Sequence, residues 1–201
     1  MANYFISFEG GDGSGKSTQL DNIRKYLEDK GVEYLFTREP GGTPIGEKIR
    51  DVILDPNTME MEDVTEAMLY AASRAQHVRE LIKPALDRGV TVVCDRFVDS
   101  SYAYQGYGRG LEEMVKVIND YAVDGCMPDV TFFLDITPED AMARISNRGH
   151  DRLEKQDEEF HKKVYEGYKA ISRDRMISID ANRDPEEVWQ DIKKVLDDLC
   201  L

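Results

Sequence analysis

Gly10-Gly11-Asp12-Gly13-Ser14-Gly15-Lys16-Ser17 decides the fold of this chain, because two glycines five positions apart followed by Lys and Ser spell the phosphate-cradling P-loop. Tyr4 to Phe8 is apolar, too short for a helix, and reads as a buried strand entering the loop. Ser17-Thr18-Gln19-Leu20 then opens an amphipathic segment that runs to Gly31. In that context successive backbone N–H groups turn inward as an anion nest, and the helix N-terminus adds partial positive charge. Lys16 is placed to reach the terminal phosphates of a nucleotide, and the Ser17 hydroxyl to ligate Mg2+. A dinucleotide-binding turn is excluded, since the third glycine it needs falls on Lys16.

Outward from the loop, short apolar runs recur at Glu33 to Thr37, Val90 to Cys94, Val130 to Leu134 and Met176 to Ile179, each separated by helical lengths of sequence. Such alternation predicts an α/β fold, parallel strands with helices on both faces. Thr43-Pro44, Thr137-Pro138 and Asp184-Pro185 each put a capping side chain before a proline that starts a helix. Met61 to Arg88 reads as a long helical region stopped by Gly89 and interrupted near Pro84. The 201 residues suit one domain, without repeats or low-complexity linkers. Asn147 to Glu159 is polar and charged, and reads equally as a mobile flap or a solvated turn.

Composition narrows the partners. With 26 Lys plus Arg against 40 Asp plus Glu, the net charge of −14 disfavours nucleic acid and anionic membrane. Cys94, Cys126 and Cys200 are too scattered for a zinc motif and suit a reducing compartment. No apolar run approaches the ~18 residues of a membrane span, so the expectation is a cytoplasmic protein. Any anionic ligand must then be met by a local basic cluster. Arg38 follows a strand, Arg50 lies in a helix, Arg74 stands among small residues, and Arg96 adjoins Asp95. As a set these arginines suggest a second anionic ligand beside the first. Asp95 ends the apolar run Val90 to Cys94, which delivers its carboxylate to the P-loop edge of a parallel sheet as a second magnesium-side ligand.

Four segments together resemble the thymidylate kinases: Phe8-Glu9-Gly10 leading into the P-loop, Thr37-Arg38-Glu39-Pro40-Gly41-Gly42-Thr43-Pro44, Cys94-Asp95-Arg96 with Ser100-Ser101-Tyr102-Ala103-Tyr104-Gln105-Gly106, and Asp151-Arg152-Leu153-Glu154. Their spacing fits too, so the resemblance covers essentially the whole chain. It implies a P-loop nucleoside monophosphate kinase fold with a five-stranded parallel sheet, a homodimer, and phosphorylation of dTMP by ATP and Mg2+. It also implies roles: Gly10 to Thr18 on ATP, with Arg144 against adenine; Arg38 and Arg96 on the acceptor phosphate, with Glu39 in a turn beneath it and Arg50 completing the pocket. Tyr70 would stack on thymine, Arg74 and Gln105 would bond its polar edge with help from Ser101, and Tyr104 would crowd a 2′-hydroxyl. Asp12 fits the family's acceptor-aligning acid, or simply shapes the turn.

Some thymidylate kinases carry an arginine within the loop where this chain has Gly13. Here the resemblance is to the branch in which a closing flap supplies it, which singles out Arg148 and Arg152 as catalytic. Another nucleotide kinase with a different acceptor pocket is the nearest rival. A P-loop switch is the other, and the absence of a guanine-reading loop from this chain counts against it, Lys155-Gln156-Asp157 being the nearest and unfitting stretch.

Overall fold

The structure is a computed structural model describing residues 3–144, 152–153, 156–171 and 174–199. β1 (Phe5–Glu9), β2 (Tyr34–Arg38), β3 (Thr91–Asp95), β4 (Val130–Asp135) and β5 (Met176–Asp180) form one sheet in the order β2-β3-β1-β4-β5. Every pairing is parallel. β1 is fully buried and β3 and β4 nearly so, whereas the edge strands β2 and β5 are half-exposed. The chain lays β2 and β3 on one side of β1 and β4 and β5 on the other, so β1 stands where the winding reverses. That is where ligands bind in open α/β sheets.

Three strands begin one residue later than the apolar runs suggest and all five end one residue later, so that each closes on a charged side chain: Glu9, Arg38, Asp95, Asp135 and Asp180. Apolar patterning marks only the part of a strand inside the core. The ladder carries on to the edge, where polar groups gather around the cleft. Register aligns Phe8 with Asp95 and Arg38 with Asp95, which brings the P-loop entrance, a carboxylate and an arginine to one edge.

α1 (Lys16–Asp29) and α9 (Pro185–Asp198) pack together on one face, through Ile23, Leu27, Ile192 and Leu196. α2 (Pro44–Leu54), α3 (Asp63–His77) and α6 (Glu112–Val123) pack side by side elsewhere on the molecule. The caps behave as the sequence implies: Thr43 Oγ1 accepts from Gly46 N at 3.1 Å and Asp184 Oδ1 from Glu186 N at 2.9 Å. The expected long helix runs as α3, a π-helical turn at Val78–Ile82, and α4 (Lys83–Asp87), with Gly89 at φ 83° beyond it. Pro84 sits in the first turn of α4, where its missing N–H costs nothing, and the widened turn before it absorbs the ring.

After β3 come α5 (Val98–Ser101) and a π-helical stretch at Tyr102–Gly108, and after β4 α7 (Pro138–Arg144) and α8 (Glu158–Ala170). Asp157 caps α8, its Oδ1 accepting from Phe160 N at 2.8 Å, so Glu158 and Glu159 are helical rather than the end of a polar flap. No described helix is long and apolar enough to cross a membrane.

Candidate active site

A cleft of about 1000 Å³ opens at the carboxyl edge of the sheet, lined by Asp12 to Thr18 on one side and by residues of β2, α2, α3 and the Tyr102–Gly108 stretch on the other. The loop's sharpness is built in: a Cβ on Gly10, at φ 140°, would lie 2.9 Å from Ser14 Oγ and 3.0 Å from the Leu134 carbonyl. Gly15 caps α1 in the left-handed region at φ 93°. Lys16 Nζ donates to the carbonyls of Gly10 at 2.9 Å and Gly11 at 3.1 Å. Burial first, and then the nearby Arg96 cation, lowers its pKa to about 8.

Asp95 Oδ1 is buried with no hydrogen-bond partner among the described residues, and the exposed Ser17 lines the same cleft. An unpartnered carboxylate oxygen with a hydroxyl across a phosphate loop suits a hard divalent cation, and so fits Mg2+. Ser14 Oγ is the other buried atom in the loop without a partner among those residues.

Arg96 dominates the far wall. Its backbone is left-handed at φ 66° and held by Arg96 N donating to the Phe8 carbonyl at 2.8 Å. Its guanidinium lies over the Tyr104 ring at 5.4 Å, donates to Asp12 Oδ1 at 3.0 Å, and reaches the Ser100 and Tyr168 hydroxyls at 3.4 Å. Behind it Glu9, fully buried, accepts from Phe97 N at 2.8 Å, Ser100 Oγ at 2.6 Å and Tyr168 OH at 2.9 Å. Burial, assisted by the Asp99 carboxylate, pushes the Glu9 pKa up to about 7.

The Glu39-Pro40 peptide is cis. Arg50 Nη1 donates to the Pro40 carbonyl at 2.8 Å, and Arg38 pairs with Glu47 at 2.8 Å on the half-exposed rim. Glu39 lines the cleft, and its carboxylate takes Arg74 Nε at 2.7 Å and His77 Nδ1 at 3.0 Å. Arg74, buried, also donates from Nη1 to Ser101 Oγ and Asn119 Oδ1 and from Nη2 to the Phe97 carbonyl. Tyr70, Arg74, Tyr104 and Gln105 all line the cleft.

Two expected residues are placed otherwise. Ser101 is buried against Arg74 and does not line the cleft, so among the described contacts it reaches the cleft only through Arg74. Arg152, 2% exposed, donates to the Ile53 carbonyl at 2.9 Å and to Glu66 Oε2 at 2.6 Å. Glu66 is a fully buried carboxylate whose desolvation is offset only by firm cationic partners, and it holds Arg152 away from the cleft. Arg148 and the polar residues 147–151, 154 and 155 lie outside the described residues. Arg144 lines the cleft and bonds Asn182 Oδ1 at 3.3 Å. Arg183 and Pro185, which the sequence reading missed, line the cleft as well; the Asp184-Pro185 cap was the one signal pointing there. Tyr168 and Glu66 were missed, and Glu9 was quoted without a role, because buried partners of site residues carry no local spacing signature.

Comparison with known proteins fits this geometry. A family model described as Thymidylate kinase matches residues 8–192. The chain belongs to the thymidylate kinase family. It is 51% identical over 200 residues to a protein named thymidylate kinase from Thermoanaerobacter sp. (strain X514), covering 98% of each. A thymidylate kinase of Lactobacillus helveticus (strain DPC 4571) is 52% identical, with 98% of this chain and 97% of that protein covered. One from Exiguobacterium sp. (strain ATCC BAA-1283 / AT1b) is 46% identical, covering 96% and 93%. In a thymidylate kinase the pairing of one phosphate loop with a second arginine-lined wall makes sense as two phosphate sites facing each other.

Proposed function

We propose that this chain transfers the γ-phosphoryl group of ATP to dTMP, giving dTDP and ADP. The observation that carries the reading is the opposition of Lys16 and the P-loop to Arg96, Arg38 and Arg50 across one cleft that ends in Tyr70, Arg74 and Gln105. An oxygen of the acceptor phosphate attacks the γ-phosphorus while the β–γ bridging oxygen leaves with ADP. The acceptor oxygen is already nucleophilic, so positioning and charge neutralisation do the work and no covalent enzyme intermediate forms.

Lys16 meets the donor phosphates and Arg96 and Arg38 fix the acceptor, with Asp12 orienting Arg96. Asp95 and Ser17 would hold Mg2+ beside the loop, and the ion bound there would supply further neutralisation of charge. Arg144 and Arg183 are placed for adenine, Tyr70 for thymine and Tyr104 for the sugar. The flap charge on the transferring group is assigned to Arg148. Scattered cysteines support a cytoplasmic enzyme.

A homodimer is part of the reading. Exposed Val52, Val64, Met68, Val117 and Tyr121 project from α2, α3 and α6, the three helices that pack side by side. An ADP-release assay with ATP, Mg2+ and a panel of nucleoside monophosphates tests the activity. Faster turnover of dTMP than of AMP, GMP or CMP is expected, and equal rates would sink the assignment.

A further inference from the structure

Gln105 lines the cleft, yet it is held from behind by a residue that does not. Its Nε2 donates to Glu66 Oε1 at 2.9 Å, and its Oε1 has no hydrogen-bond partner among the described residues. An amide can face either way, and here the choice is forced. Glu66 Oε2 already takes Arg152 Nη2 at 2.6 Å and Arg109 Nη2 at 3.0 Å, so this carboxylate only accepts. Gln105 must therefore spend its amide N–H on Glu66 and turn its carbonyl to the cleft. Beside it, Arg74 has four of its five N–H groups committed to Glu39, Ser101, Asn119 and Phe97, which leaves one Nη2 N–H.

The cleft lining thus holds one acceptor, on Gln105, and one donor, on Arg74, that the described residues leave uncommitted. A base with a ring N–H beside a carbonyl, as in thymine and uracil at N3 and O4, complements that pair. Cytosine presents a bare ring nitrogen and an amino group at the same places, and mismatches both.

We propose that Glu66 is a positioning residue that determines base specificity, by fixing the Gln105 amide so that the site selects a pyrimidine bearing N3–H and rejects cytosine. The inference rests on the dTMP reading above and adds the residue that enforces it. In Glu66→Gln, Arg109 and Arg152 claim the amide oxygen at the Oε2 position, and the new amide nitrogen faces Gln105. Gln105 then has to accept, and its own N–H2 turns to the cleft, where it matches the N3 of cytosine.

The test measures kcat/KM for dTMP, dUMP and dCMP with the full-length chain, using slow substrates also as competitive inhibitors of dTMP. Glu66→Gln is expected to lower the dTMP:dCMP ratio at least tenfold, about 1.4 kcal/mol of discrimination. The dTMP:dUMP ratio should stay within twofold, because both bases share the edge that Gln105 reads. Arg152→Met loosens the same carboxylate without changing its acceptor character, and should leave both ratios unchanged. Should Glu66→Gln fold poorly, Glu66→Gln/Arg152→Met removes a negative and a positive charge together and carries the same expectation. A dTMP:dCMP ratio within threefold of the parent, a parallel fall in dTMP:dUMP, or the same shift in Arg152→Met alone would overturn the proposal. A parent chain that fails to prefer dTMP over dCMP would instead overturn the functional reading itself.

Discussion

Lys16 and Glu9 are the two site residues whose protonation falls in the working pH range, and they move in opposite senses. Burial lowers Lys16 to about 8, so its charge is present below that pH and lost above it. For the free enzyme, kcat/KM for ATP should therefore fall as pH rises through about 8, and initial rates at subsaturating ATP from pH 6.5 to 9.5 would show it. Below about pH 8, Lys16→Ala should lower kcat by at least ~10²-fold, since it removes a cation aimed at developing charge. Glu9 is raised to about 7. In the folded chain it holds its proton longer than it does unfolded, so its favourable contribution is complete below about 4.5 and lost as pH rises through about 7. Urea titrations of the chain and of Glu9→Gln between pH 5 and 8 should diverge in that sense, the chain losing stability relative to the variant as pH rises. Tyr168→Phe removes a hydroxyl that lies between Glu9 and Arg96. It should raise KM for dTMP about threefold to tenfold with a smaller change in kcat, the scale of one hydrogen bond.

At the scale of elements, the stretch between α7 and α8 changes meaning. Arg152 is bonded to Glu66 on α3 and to the end of α2, and Gln156 accepts from Arg109 at 2.9 Å. Arg152→Ala should accordingly act first on stability, costing about 1–3 kcal/mol for a buried carboxylate that keeps only Arg109 as its cation, as read by thermal or urea unfolding. Arg148→Ala should leave the unfolding midpoint alone and lower kcat, with KM for dTMP little changed. The sequence made the strands, the loop and the proline-capped helices legible because each depends on residues next to one another in the chain. Arg152 was misplaced for the converse reason: its partner stands 86 positions away, and no local pattern tells an arginine bonded to Glu66 from one aimed at phosphate. Glu9 was visible as part of Phe8-Glu9-Gly10, yet its link to Arg96 through Ser100 and Tyr168 exists only once β1, α5 and α8 meet. Arg74 was rightly placed at the cleft, although the four bonds that leave it a single N–H come from three different segments: the turn after β2, α5 with its cap, and α6.

The whole molecule brings its charge and its oligomeric state into play. Sedimentation should find a species of twice the chain mass, and Met68→Glu/Tyr121→Glu should dissociate it, because both side chains are more than half exposed on the packed layer of α2, α3 and α6. The cleft's cations raise a different matter. Lys16 is bonded to the loop's own carbonyls, Arg96 to Asp12 and Arg38 to Glu47. Each positive group is thus supplied with an internal counterion or dipole, in a chain whose total charge is −14. An arriving phosphate trades places with those groups instead of displacing small ions gathered from solution. Binding is then an exchange between tethered and diffusing anions, and such an exchange releases fewer bound ions than the neutralisation of bare cations would. Added potassium chloride should change the Michaelis constants of both substrates less than it would at a site of unpaired basic side chains, which would let the enzyme hold its substrates across swings in salt concentration.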